Sequence, residues 1–342
     1  GLILCGVMGD SRNGFRFGLL AMDVLDKYSA RELECKVNFL FGNMINHWSD
    51  SLQNDIPFLI KAYQCGVKNG DMLWASYSVN YLTLHYFFSG APLKDVIAKY
   101  GKYYEFMKKS QNNIATQAYE LWYQLVENLH GSDYMSTISG GIANEEIFLP
   151  QWRANNNLNS QGFYTVGKQI LHYLYGDYAD SVDIAGKGPK YIQSMTAMIF
   201  VPEYYYFYSL AILAHYRSGT GAVQKKYRAL VRKNQKKLKK WADGAPMNYR
   251  HKFMLVEAER LGLTEPVDAV MQSYDAAIAG AKDSGFIYDE AIANERAARF
   301  LIGKDLQKAA LPYIKEARYL YKFWGANYKV KRSEERRVGK GV

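Results

Sequence analysis

Apolar side chains recur along this chain at three- and four-residue spacing, the repeat that places them on one face of an α-helix. The pattern is clearest in the last third, where it appears twice. Val270, Tyr274 and Ala277 are spaced four and then three apart, and forty residues later Ala310, Ile314 and Ala317 repeat that spacing. In the helix before each set, Ala258 and Leu261 recur as Ala298 and Leu301. A period of this length marks stacked helical hairpins, each burying too little apolar surface to stand alone. Ala258, Tyr274, Ala298, Ile314 and Ala317 are therefore expected between neighbouring helices.

The same reading predicts helices over 15–28, 31–48, 52–68, 72–88, 93–108 and 111–129. In the first, Gly14, Gly18 and Ala21 keep the four-then-three spacing with small residues that allow close approach. Leu59, Tyr63 and Gly66 keep it in the third, and Asn69-Gly70-Asp71 reads as a helix stop followed by an N-cap. Residues 1–9 look like the end of a helix whose partner lies outside the sequence. Periodicity fails over 131–162, where Ser139-Gly140-Gly141 and Asn155-Asn156-Asn157 are loop-like. One short helix at 144–153 is expected there, in an irregular joint at 131–160 between two lobes. Helices resume at 160–175 and 177–185, and a long aromatic helix is expected over 191–217. The remainder fall at 221–241, 247–262, 265–282, 287–302 and 305–324.

Composition fits this picture: 49% hydrophobic content supports a large core, and only 8 prolines interrupt it. The 29 tyrosines suit wide gaps between helices, with rings packed and hydroxyls reaching water or carbonyls. The most apolar stretch, 195–214, is broken by Pro202 and Glu203, so no membrane span is expected. The chain starts at Gly1 with no leader-like segment and is read as an internal fragment of a larger cytoplasmic protein. Cys5, Cys35 and Cys65 form no CxxC pair and read as buried thiols.

Charge is concentrated. Residues 225–240 hold nine Lys or Arg and no acid, and 329–342 add a net +4, so the rest of the +10 chain carries −3. In the first stretch Tyr227, Leu230, Val231, Asn234, Leu238 and Trp241 make one stripe. The bland reading is an outer amphipathic helix with solvated lysines. The functional reading is a docking surface built from Lys225, Lys226, Arg232, Lys233, Lys236, Lys237, Lys239 and Lys240. A near-neutral body argues against nucleic acid.

No reagent set for chemistry emerges. The six histidines are scattered singly, so no metal site is expected. Gly186-Lys187-Gly188-Pro189-Lys190 lacks the flanking strand and the Ser or Thr of a phosphate loop. Glu145-Glu146 and Glu257-Ala258-Glu259 are too close in sequence to face one another as a catalytic pair. No catalytic or cofactor-binding residue is assigned, and the chain is read as non-catalytic.

Several strings together resemble one family. They include Phe41-Gly42-Asn43-Met44-Ile45-Asn46-His47-Trp48, Ala62-Tyr63-Gln64-Cys65-Gly66, Asn234 through Trp241, Ala245-Pro246-Met247-Asn248 and Leu255 through Arg260. To these add Glu316-Ala317-Arg318-Tyr319 and Trp324-Gly325-Ala326. The chain to about Lys331 resembles the tetratricopeptide-like (TPR-like) region of large bacterial signalling ATPases. In that family a serine/threonine kinase-like domain and a STAND-type ATPase precede this region. GAF and sensor histidine kinase, phosphatase or cyclase modules commonly follow it.

The resemblance implies a cytoplasmic, two-component-type signalling context, with the kinase and ATPase activity residing elsewhere in the parent. It carries no catalytic residue onto any position here. After Lys331 the pattern is lost. Residues 332–342 resemble translated adapter read-through and are read as a non-native tail, a basic linker being the other reading.

The expected fold is all-α, a TPR-like helical-hairpin solenoid with N-terminal repeats at 1–130, the joint at 131–160 and C-terminal repeats at 161–331. Within the last, hairpins are expected at 247–282 and 287–324. The expected role is a regulatory scaffold coupling an upstream switch to a downstream output. Its partners would be neighbouring domains of the same chain or other signalling proteins. The competing reading is an enzyme or ligand-binding domain with its site in the 131–160 joint.

Overall fold

Polar punctuation sets the helix boundaries in the computed structural model, which describes residues 1–28 and 30–338, with side chains through Arg332. Gly70, at φ 74°, takes the left-handed conformation that ends one helix. The next residue, Asp71, accepts from the Trp74 amide at 3.3 Å to start another. Asn112 and Asn157 cap later helices in the same way, accepting from the Ala115 and Ser160 amides.

The first half comprises α1 (Ser11–Tyr28), α2 (Arg31–Met44), α3 (Asp55–Asn69), α4 (Met72–Phe88), α5 (Leu93–Lys109) and α6 (Asn113–His130). α7 (Glu145–Ala154) follows an irregular stretch, then α8 (Leu158–Tyr175), α9 (Tyr178–Gly186), α10 (Pro189–Gln193) and α11 (Phe200–His215). The last part is α12 (Gly221–Gly244), α13 (Pro246–Leu261), α14 (Val267–Asp283), α15 (Ile287–Ile302), α16 (Gln307–Trp324) and α17 (Asn327–Val338). Among the described residues there is no strand, only an isolated bridge between Ser139 and Asn144.

The fold is all-α and TPR-like: successive helices pack against one another, most extensively in the pairs α2–α3, α3–α4, α13–α14 and α15–α16. The repeat residues lie where their spacing put them. Val270, Tyr274, Ala277, Ala258, Ala298, Leu301, Ala310 and Ala317 are buried. Leu261 and Ile314 are exceptions, both half-buried, Ile314 at the edge of a small cluster with Ala298 and Leu301.

The first and last thirds also meet directly. Asn248 of α13 grips the turn before α3, donating to the carbonyls of His47 and Asp50 (2.8 and 2.7 Å) and accepting from the Leu52 amide (2.9 Å). Trp48 donates to the Ala197 carbonyl at 3.1 Å, and Phe87 stacks on Tyr288 with centroids 6.1 Å apart. A single buried cluster runs from Cys35 to Ala326, so the irregular 131–160 stretch interrupts the helices without dividing that core.

Several expectations change. The long helix over 191–217 is broken between α10 and α11, where Ala197 takes a positive φ of 67° and Pro202 sits in the first turn of α11. Proline lacks the amide an interior turn needs but fits a first turn. Residues 1–9 contain a short π-helical turn (Leu4–Met8) that packs on α1 and buries Cys5. Its partner thus lies within the chain, although Ile3, Val7 and Met8 stay exposed. In α1 the small-residue face is Gly14 and Gly18 with Leu25, while Ala21 is exposed. Cys65 is half-buried. α17 lies beyond the last expected helix, held by Tyr328 N to Gly131 O (3.1 Å) and Asn327 Nδ2 to His130 O (2.6 Å). Beyond Arg332, which donates to the Tyr175 carbonyl, the tail's side chains lie outside the described residues.

Candidate functional site: the basic helix and the aromatic cleft beside it

α12 is built from strong helix formers and runs unbroken for 24 residues. It buries Val231, Asn234, Gln235, Leu238 and Ala242 against its neighbours. Asn234 donates to Ser209 Oγ at 3.1 Å, and Gln235 to Glu257 at 3.0 Å, so both side-chain amide nitrogens on the buried face are paired, while Gln235 Oε1 is buried without a hydrogen bond among the described residues. Lys225, Lys226, Arg228, Arg232, Lys233, Lys236, Lys239 and Lys240 are exposed. Lys237 is half-buried, its ammonium 5.0 Å from the centre of the Tyr205 ring. Two acids moderate the far end: Asp243 pairs with Lys239 at 2.9 Å, and Asp10 is close to Lys240. The Asp10 carboxyl is held below the usual range, first by hydrogen bonds from Asn13 and less by Lys240.

The half-buried Lys237 marks a feature that the periodicity of α12 did not reveal. Where α10 gives way to α11, a cleft of about 430 Å³ opens against α12. Trp48, Tyr204, Tyr205, Tyr208 and Trp241 form its aromatic wall, while Lys233 and Lys237, one helical turn apart, are its charged groups. Trp241 lies 5.8 Å from both Trp48 and Tyr205, centroid to centroid. Among the described residues, no carboxylate lines this space. Glycine shapes it too, since a Cβ on Gly6 would come within 2.8 Å of the Ala197 backbone nitrogen.

A second, smaller cleft of about 190 Å³ lies between the ends of α11, α13 and α15, with Arg217, Arg296, Arg299 and Lys304 around it. Two of its cations are engaged: Arg296 clasps Glu259 at 2.5 Å, and Arg299 clasps Glu295 at 2.6 Å.

Of the carboxylates singled out in the sequence, Glu146 is exposed and the other three are held in ion pairs. Glu145 holds Lys168 at 2.7 Å, Glu257 holds Arg260, and Glu259 holds Arg296. His172, Asp177 and Asp180 approach within 4.8 Å through one ligand atom each. Local pairing accounts for that cluster, since Tyr134 donates to Asp177 at 2.6 Å and His172 Nδ1 is 3.6 Å from the same carboxylate.

Two fully buried polar networks were not legible as such. In one, Lys252 bridges Asp289 (2.6 Å) and Glu203 (2.9 Å), with His251 also on Asp289 at 2.9 Å. Burial pushes the Asp289 carboxyl up, but Lys252 and His251 outweigh it and hold it low. Burial pushes Glu203 up to about 7 against the pull of the same lysine. In the other, Asp55 accepts from Asn46 at 2.8 Å and lies 3.2 Å from His85 and 3.5 Å from His47. Burial raises Asp55 to about 6 and depresses His85 to about 3. One sequence signal was available for the first network: Glu203 is the lone acid in an otherwise apolar, aromatic helix, and a buried charge needs a partner.

A family model described as CHK1-like, TPR repeats matches residues 133–338, more than half of the chain. The chain belongs to that family. The match to this CHK1-like TPR family begins in the irregular stretch and takes in α7 to α17, including both sequence repeats and the whole of α12. Among curated proteins, the hybrid signal transduction histidine kinase G of Dictyostelium discoideum is 28% identical over 129 residues. That alignment covers 37% of this chain and only 4% of the relative, so the chain corresponds to a small part of that protein. Among the described residues, no helix is long and apolar enough to cross a membrane.

Proposed function

We propose that this chain is a non-catalytic regulatory scaffold within a multidomain signal-transduction protein, and that α12 is its docking surface for an acidic partner domain. The observation that carries the reading is the row of exposed cations on α12, most of them without a carboxylate partner among the described residues. A surface of this kind steers an oppositely charged partner and fixes its orientation. Membership of a TPR-repeat family and similarity to a small part of a hybrid histidine kinase support a signalling scaffold. In this reading a kinase-like ATPase switch lies upstream in a cytoplasmic, bacterial-type architecture and an output module lies downstream. The chain relays between them by contact and needs no cofactor of its own. The competing enzymatic site at 131–160 draws less support, because both clefts described above are lined by residues outside that segment.

A pull-down of neighbouring signalling domains tests the proposal. Replacing Lys236, Lys239 and Lys240 by Glu should weaken capture most at low salt, where screening is least. Equal capture by the original and charge-reversed chains at every ionic strength would refute it.

A further inference from the structure

We infer that the cleft beside α12 receives an aromatic side chain carried on an acidic peptide segment, which names the partner chemistry of the docking surface and rests on that reading. The cleft volume of about 430 Å³ lies within the usual range of roughly 300–1,000 Å³ for ligand sites. Five aromatic rings line it beside Ile192, Val201 and Leu230, which favours a flat apolar ring packed edge-to-face or offset against Trp48, Tyr205 and Trp241. Among the described residues its charged groups are Lys233 and Lys237, with no acid beside them, so an anionic occupant gains and a cationic one is repelled.

A small aromatic anion would satisfy the cleft alone, but the charge continues past it. Lys225, Lys226, Arg228 and Arg232 extend toward the start of α12, and Lys236, Lys239 and Lys240 toward its end. At about 1.5 Å per residue the row from 225 to 240 spans roughly 22 Å, far longer than a single small molecule. A peptide with carboxylates on both sides of one aromatic residue matches both the row and the cleft. Single-stranded nucleic acid could also stack on these rings. However, the chain outside its two basic stretches carries −3, which leaves few further phosphate contacts.

The test is fluorescence anisotropy on the whole chain with two labelled probes at low salt. One is the heptapeptide Glu-Asp-Glu-Trp-Glu-Asp-Glu, and the other has Ala in place of Trp. The Trp probe should bind about tenfold more tightly, a difference of about 1.4 kcal/mol. Thr196→Trp, which fills the cleft from its half-buried rim, should erase that difference while leaving binding of the Ala probe intact. Gln193→Trp, at the exposed lip, repeats the test if the first variant misfolds. Lys236→Glu with Lys239→Glu, outside the cleft, should weaken both probes alike. Equal affinity for the two probes, lost on charge reversal, would overturn the cleft assignment and leave the docking surface standing. Failure of both probes to bind would overturn both. Tighter binding of a single-stranded oligouridine than of the Trp probe would overturn the choice of a peptide.

Discussion

Lys252 of α13 donates to Asp289 of α15 at 2.6 Å, and both side chains are only 1% exposed. Two successive hairpins of the repeat are thus joined by a charge pair sealed from water. Glu203 of α11 joins the same ammonium, and Tyr288 Oη lies 3.2 Å from it. The lysine also sits 4.7 Å from the centre of the Tyr206 ring. Breaking such a group is costly because the remaining charges stay buried. Lys252→Met should destabilise the fold by about 3–5 kcal/mol in urea unfolding. Combining it with Asp289→Asn should cost less than the sum of the two single changes, since the residues share one network. Additive losses would show that the pair does not act as a unit.

The repeat itself makes a sharper steric prediction. Ala298 is 3% exposed and packs with Leu301 and Ala310 between α15 and its neighbour. Ala298→Leu should cost about 1–3 kcal/mol through overpacking. Ala229→Leu, on the exposed side of α12, should change stability by no more than about 0.5 kcal/mol. Differential scanning calorimetry of the two variants makes the comparison, and an unchanged melting temperature for Ala298→Leu would mean that the repeat faces are misassigned.

Acid should weaken the protein through its buried histidines. His85 is completely buried against Asp55 and Asn43, and burial holds its pKa near 3, below its ordinary value of about 6.5. As the pH falls below 6.5 the unfolded chain takes up a proton that the folded chain refuses, so stability drops until the pH approaches 3. Asp55, raised to about 6, and Glu203, raised to about 7, act in the opposite sense, because the folded state binds their protons before the unfolded chain does as the pH falls. Burial also depresses His47 and His251, adding to the acid-labile side. In urea unfolding, His85→Asn should therefore lose less stability, or gain more, than the original chain between pH 7 and pH 5. A slope unchanged in the variant would remove His85 from the account.

Charge reversal on α12 should leave the fold intact. Lys236, Lys239 and Lys240 are exposed, and Lys239 pairs with the exposed Asp243 one turn on. Exposed pairs of this kind contribute little. The triple Glu variant should unfold within about 0.5 kcal/mol per site of the original. A large loss of stability would mean that these lysines pack rather than present a surface.

The helices and their buried faces were readable because periodicity, caps and glycine stops are local. Ala258, Tyr274 and Ala298 needed only the spacing of their neighbours, and Gly70 with Asp71 announced its own turn. The stripe on α12 was equally local, and its buried members agree with the spacing. What escaped was non-local. The cleft arises because the chain breaks at 194–199 and brings Trp48, Tyr205 and Trp241 together from three separate segments. The grip of Asn248 on the turn at 47–52 joins residues some two hundred positions apart, which no window of spacing can register. Glu203 was visible as an oddity in an apolar helix, but its partner lay on another helix.

The central claim is that α12 and the aromatic cleft beside it form the contact surface of a signalling scaffold. Amide hydrogen exchange tests it most directly, comparing this chain alone with the chain mixed with an acidic signalling domain of the proposed kind. The account predicts slowed exchange over 221–244 and at 189–205, with the outer faces of α14 and α16 unchanged. Protection confined to α14 and α16, with α12 exchanging at the rate of the isolated chain, would contradict it.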